Sequence, residues 1–168
     1  MIFRKARLED TKSIGKIIEM ARKSLRDDGI DQWQKTNPNE NIIIEQIVKD
    51  DAYVFDNEGK VLAYAYVFDG VDPSYNVHED KFKSDSYFVI HTLMVDNSGS
   101  VPKLGTKFME ALIDFTEKSG KKAIRIDTHE DNFRMRGLLH KFSFEEIGIV
   151  QIDEDGIPKD RICYEKVL

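Results

Sequence analysis

The chain has 168 residues, 40% of them hydrophobic and 33% charged, and a formal net charge of −6. That length is expected to fold as one domain over residues 1–168, and the acid excess excludes a nucleic-acid module, which needs a basic face to displace counterions from phosphate. No apolar run is long enough to span a membrane. The opening MIFRKARLED lacks an apolar leader and the mean hydropathy is −0.47, so a cytoplasmic protein is expected. The single cysteine, Cys163, cannot form an internal disulfide or a cysteine metal cluster. Its alternating strand setting reads as a small core residue rather than a nucleophile.

Residues 2–6 read as a short strand. Asp10 is placed to cap a helix on which Ile14, Ile17, Ile18, Ala21 and Leu25 keep helical spacing. Residues 26–41 are irregular, with Gly29 and Pro38 on either side of Trp33. A second, short helix presents Ile43, Ile44, Ile47 and Val48 as its apolar side. Strand-like residues 53–55 and 61–68 are joined by Asp56-Asn57-Glu58-Gly59, a hairpin signal. A polar loop over 69–84 leads to YFVIHTLMV, residues 87–95, which is apolar on both faces as a central strand is. After a loop over 96–102, Leu104, Phe108, Ala111, Leu112 and Phe115 mark a third helix, ended by Gly120. Ala123, Ile124 and Ile126 form a strand that runs through Asp127, Thr128, His129 and Glu130. Asp131 or Asn132 can then cap a helix carrying Met135, Leu138, Leu139 and Phe142 at i, i+3, i+4 and i+7. Residues 146–152 and 161–167 are strands that turn at Asp155-Gly156. The order β-α-α-β-β-β-α-β-α-β-β predicts an α/β fold with a mixed, mostly antiparallel central sheet of about seven strands flanked by helices.

Several places can carry chemistry. The run VDNSGSVPKLGT, residues 95–106, is a strand–loop–helix whose helix start offers backbone N–H groups to a pyrophosphate. The polar corner over 127–130 lies at the carboxyl end of a strand, where open α/β sheets bind ligands. Asp127, His129 and Glu130 do not give a metal-ligand spacing with a fourth partner, so no metal is expected; capping and solvent exposure account for most of the corner. His91 lies in a mostly apolar strand, where alternation puts it on one face with Val89, Leu93 and Val95. A side-chain pKa near 6.5 suits a general base taking a proton from an ammonium; a half-buried, hydrogen-bonded histidine is the plainer reading. In GIDQWQKTNPN, Trp33 flanked by Gln32 and Gln34 can line a polar-rimmed pocket or plug the edge of the core.

The pattern N-x-x-M-x-x-L-L-x-K-x-S-F over residues 132–144 resembles the cofactor-side helix of the GNAT acyltransferases, in which the serine position is usually glycine. The element order resembles that family too, and G-I-x-Q-W-Q is similar to one branch of its bacterial members. The resemblance implies an N-acetyltransferase that takes acetyl-CoA as co-substrate and passes the acetyl group to a primary amine by direct attack. It assigns the main chain of Leu93, Met94 and Val95 to the pantetheine arm, and Asn132 to the cofactor as well. The pyrophosphate site would comprise Ser100, Lys103, Leu104, Gly105 and Thr106. There the family reads Q/R-x-x-G-x-G/A and only Gly105 matches: Ser100 replaces the arginine or glutamine, Pro102 has no N–H, and Lys103 replaces a glycine while offering a counter-charge. Leu139 stands where many members carry the tyrosine that protonates the departing thiolate, and Tyr164 is a substitute acid or a strand aromatic with its hydroxyl at the surface. Gln32, Trp33 and Gln34 would shape the acceptor site. The acceptor is expected to be a small-molecule amine, with the acid excess favouring a cationic one. Exposed strand edges admit a homodimer. The alternative is a GNAT-fold sensor or interaction protein whose degenerate loop binds CoA weakly or not at all.

Overall fold

The computed structural model describes residues 1–168. In chain order the elements are β1 (Ile2–Lys5), α1 (Thr11–Asp27), α2 (Glu40–Val48), β2 (Ala52–Asn57), β3 (Lys60–Phe68), β4 (Tyr87–Val95), α3 (Leu104–Lys118), β5 (Ala123–Thr128), α4 (Phe133–Lys141), β6 (Glu145–Glu154) and β7 (Ile157–Val167). The strands form one sheet in the order β1-β2-β3-β4-β5-β7-β6, mostly antiparallel with a parallel β4–β5 pair. This is the architecture the element order predicts. No helix is long and apolar enough to cross a membrane. Contacts divide the chain into two compact units, Met1–Val67 with His91–Ala111, and Phe68–Ile90 with Leu112–Leu168.

In the first unit the β2–β3 hairpin turns on Glu58 and Gly59, at φ 54° and 86°. Two consecutive left-handed residues give the turn whose twist matches the strands it joins. Ile14, Ile17 and Ile18 of α1 and Ile43 and Ile47 of α2 pack on Ala52, Val54, Val61, Tyr64 and Met94. Val48, expected on the apolar side of α2, is 71% exposed; Gln46 turns inward instead, and its Oε1 accepts the Tyr64 hydroxyl at 2.5 Å. Asp10 precedes α1 but its carboxylate does not cap it. Its own backbone is already helical (φ −78°, ψ −16°), unlike the extended backbone of a capping residue. The carboxylate accepts the Arg7 N–H at 2.7 Å and both terminal nitrogens of Arg4 at 2.7 and 2.9 Å. Burial pushes the Asp10 carboxyl up, but Arg4 and the Arg7 N–H outweigh it and hold it below its usual range.

In the second unit β4 and β5 run parallel, Tyr87 opposite Ala123 through Ile90 opposite Ile126, and β7 lies between β5 and β6. Arg125, in the middle of β5, is 1% exposed. Its guanidinium is held between the rings of Tyr87 and Phe82, 3.5 and 3.6 Å from their centroids. It donates to the Ser84 carbonyl at 2.8 Å and faces buried Glu165 at 3.5 Å. Glu165 in turn accepts the Lys83 N–H at 2.8 Å. Cys163 packs with Tyr75, Tyr87, Val89, Ala123 and Val150; burial pushes its thiol well up, as befits a core residue. The stretch expected as a plain polar loop contains 3₁₀ turns over Pro73–Lys81.

Candidate active site

The expected site residues fall into two sets, one in each unit. In the first unit, β4 carries Thr92 at φ 54°. A left-handed residue inside a strand breaks the two-residue alternation, so one face does not run through Val89, His91, Leu93 and Val95. Burial follows the break: Val89 and Ile90 are fully buried, His91 and Thr92 are half-buried, and consecutive Leu93 and Met94 are buried again.

Beyond β4, Asp96 fixes the start of the loop. Its N–H donates to the Leu62 carbonyl at 2.7 Å, its carboxylate accepts the Ser98 N–H at 2.8 Å, and Lys60 lies 3.4 Å away. Burial raises the Asp96 carboxyl, and the bonds from Ser98 and Lys60 bring it below its usual range. Ser100 and Lys103 are exposed. Lys103, where the family carries glycine, is left-handed at φ 56°. Its carbonyl accepts the Lys107 N–H at 3.1 Å, so Lys103 is the hinge from which α3 departs. Leu104 anchors the first turn in the core, with Gly105 and Thr106 half-buried beside it. First-turn N–H groups precede the helical ladder, which is the donor set a pyrophosphate uses.

The loop around Trp33 is clasped to α1. The Gln34 amide donates to the carbonyls of Arg22 and Gln32 at 3.1 and 2.9 Å and accepts from Arg26 Nε at 3.1 Å. Arg22 donates to the Thr36 and Pro38 carbonyls at 2.8 and 2.5 Å. Gln32 is buried. Trp33, partly buried, packs on the cluster that contains Met94, so one acceptor-site candidate and one cofactor-site candidate share an apolar surface.

In the second unit Asn132, not Asp131, caps α4: its Oδ1 accepts the Met135 N–H at 3.2 Å. Leu139 and Phe144 are buried, and α4 ends with the Phe144 N–H bonded to the Leu139 carbonyl at 3.0 Å around Ser143 at φ 59°. That is a Schellman ending with serine in the position that favours glycine. His129 Nδ1 accepts the Asp131 N–H at 3.1 Å, a local cap. Asp127 does other work: its Oδ1 accepts the hydroxyl of Tyr75 at 2.6 Å. No group of three His, Cys, Asp or Glu side chains gathers as a metal site would require.

Tyr164 is fully buried because β7 is an inner strand, so its hydroxyl is not at the surface. Arg136 Nε donates to that hydroxyl at 3.1 Å, and Arg136 lies 3.7 Å from Glu146. Burial raises the phenol's pKa and Arg136 opposes the rise. Sequence reasoning missed Tyr75, Arg125 and Arg136. An aromatic in a polar segment, an arginine in a strand and another on a helix give no signal of partners 52, 41 and 28 residues distant in sequence.

Residues 18–144 match the sequence profile of the acetyltransferase (GNAT) family. No curated protein matches the chain. Among solved structures, a GNAT-family acetyltransferase from Streptococcus agalactiae is 30% identical with a TM-score of 0.86, over 99% of this chain and 95% of that one. A Salmonella typhimurium protein solved with its cofactor acetyl-CoA has 17% identity and a TM-score of 0.69, over 99% and 93%. A ribosomal-protein-alanine N-acetyltransferase from Brucella melitensis has 16% identity and a TM-score of 0.70, over the whole of both chains.

Proposed function

Because the chain belongs to the GNAT family of acetyltransferases, we propose that it transfers the acetyl group of acetyl-CoA to the primary amine of a small molecule in the cytoplasm. The observation that carries this reading is the backbone at Lys103. The loop departs from the family in its letters, yet Lys103 holds a left-handed conformation, the region that favours glycine, and α3 starts from it. The residues therefore fit the co-substrate: the first turn of α3, Leu104 to Thr106, would hold pyrophosphate, with the Lys103 side chain as counter-charge and Ser100 beside it. Leu93 to Val95 would hold the pantetheine arm through main-chain atoms, and Asn132 would meet the same arm.

The thioester supplies an activated acetyl group, so the protein's task is proximity and orientation. His91 is the side chain we assign to taking the proton from the attacking ammonium, directly or through water. A thiolate with a pKa near 8.5 leaves more readily when protonated, and we assign that proton to Tyr164. Arg136 donates to the phenol oxygen, which sets a cation beside the phenolate that forms when the proton is given up. Trp33, with Gln32 and Gln34 bracing its loop, would shape the acceptor site.

The test is a panel of primary amines assayed by release of CoA thiol. Wild-type turnover with a small amine is expected, with kcat reduced about 100-fold by His91→Ala and a raised amine KM in Trp33→Ala. Wild-type rates in both variants would overturn the residue assignments. Weak or absent acetyl-CoA binding, with no amine turned over, would instead favour the sensor reading, which the Ser100 and Lys103 departures motivate.

A further inference from the structure

β6 is the last strand of the sheet, so one side of its backbone has no strand beside it, and such an edge is a template for a strand from another chain. Within the second unit a segment of the chain lies along it. His78 Nε2 donates to the Ile149 carbonyl at 2.7 Å. Further on, the Lys83 ammonium pairs with Glu145, and the Lys83 N–H donates at 2.8 Å to Glu165, the β7 residue opposite Glu145. The contacts rise from 78 to 83 in the segment while they fall from 149 to 145 in β6. The segment therefore runs antiparallel to β6, as an added strand would, but its 3₁₀ turns do not offer the even ladder of a strand.

Gly148 makes the closure possible. A Cβ there would lie 2.5 Å from His78 Nε2, so the ring in this position and any larger residue at 148 exclude each other. β6 also slips register between Glu146 and Gly148, and a bulge is itself a device against edge pairing. The ends of the segment are fastened to the core, Tyr75 by packing with Val150 and Cys163 and Ser84 by its carbonyl, which accepts from Arg125 at 2.8 Å. Two polar contacts, at His78 and Lys83, hold the middle to β6.

We propose that residues 78–83 are a built-in guard that holds the β6 edge shut against an extended cationic segment of another chain, and that release of the two contacts turns this edge into a strand-docking site. Charge selects the occupant. Glu145, Glu146 and Asp153 are exposed along β6, and two copies of the strand set antiparallel would bring the glutamates of one toward the aspartate of the other, a like-charge clash. A cationic strand meets the opposite sign, as Lys83 already does on Glu145. Main-chain hydrogen bonds would supply the affinity and the acidic side chains the selectivity.

The test uses the full chain and a fluorescein-labelled peptide of alternating lysine and valine as the probe strand, read by fluorescence anisotropy. His78→Ala with Lys83→Ala removes both contacts and is expected to bind the peptide about tenfold tighter than wild type, the worth of one recovered hydrogen bond. Gly148→Ala displaces the ring with the charge of the chain unchanged, should bind more tightly than wild type as well, and decides the matter where the double variant does not fold. His78→Gln keeps a donor at similar reach and should bind as wild type does. Salt at roughly 0.5 M should weaken the complex, and the amide shifts that the peptide causes by NMR should fall on residues 145–153. Equal affinity of wild type and the released variants, or shifts that fall outside β6, overturns the proposal. Peptide binding is read without any amine turnover, so the guard and the acetyltransferase reading stand or fall separately.

Discussion

Two segments of this chain lead from a strand into a helix through a polar loop, and they preserve different things. Between β4 and α3 the side chains depart from the family pattern at Ser100, Pro102 and Lys103, but Lys103 has a left-handed backbone, the region open to glycine. Between β5 and α4 the side chains match at Asn132, Met135 and Phe144, while the polar residues between them are engaged elsewhere: Asp127 by Tyr75, His129 by the Asp131 N–H. Ser143 repeats the first case, with a left-handed backbone where the family has glycine. A left-handed non-glycine residue costs roughly 1–2 kcal/mol, little enough for a fold to carry. Loss of a glycine from a motif is therefore not loss of the geometry, and retention of a motif does not fix what its neighbours do.

The comparison is open to attack in order of effect. The largest concerns the strand entering the second segment. Arg125→Ala would leave Glu165 buried without its cation, and removing one partner of such a pair costs about 3–5 kcal/mol. Chemical denaturation measures this, and a loss no larger than that of an ordinary surface substitution would show that the Tyr87–Phe82 sandwich does not organise β5. Next come Lys103→Gly and Ser143→Gly, each expected to stabilise by about 1 kcal/mol through relief of the left-handed backbone. The two should then diverge, since only Lys103→Gly should weaken acetyl-CoA binding, by loss of the counter-charge. If both destabilise, neither position is strained and the shared account of them fails.

The smallest effect is a change in the shape of the stability curve with pH. Asp10 is held below its ordinary range because Arg4 and the Arg7 N–H outweigh burial, and Asp56 is held down chiefly by Arg4. A carboxyl depressed in the folded state contributes stability that is complete above its unfolded pKa near 3.9 and is lost as pH falls through the lower folded value. Acid unfolding of the wild type should show that limb, and Asp10→Asn should flatten it. An unaltered limb in the variant would assign acid lability to other depressed carboxyls, Asp56 and Asp96 first among them.

Periodicity made the sheet and helices legible, because one-sided burial leaves a two- or 3.6-residue pattern that any reader can count. It failed where a single backbone dihedral intervenes. Thr92 looks like any strand residue, yet its left-handed φ ends the alternation that put His91 on a face with Leu93. Asp10 has the letter of a cap but a helical backbone that prevents it. Val48 continued an apolar run in α2 while the helix turned it outward. The candidate site was legible in its local parts, the α3 start and the Asn132 cap. Its long-range polar contacts were not: Tyr75 to Asp127 joins residues 52 apart, and no local pattern encodes such a pairing.

The central claim is that the loop entering α3 still receives acetyl-CoA despite its altered letters. Calorimetric titration of the wild-type chain with acetyl-CoA tests it directly. Saturable binding at one site is predicted, with a Kd of roughly 1–100 μM that Lys103→Glu weakens at least tenfold. Absence of binding at millimolar acetyl-CoA, or equal binding by Lys103→Glu, would contradict it.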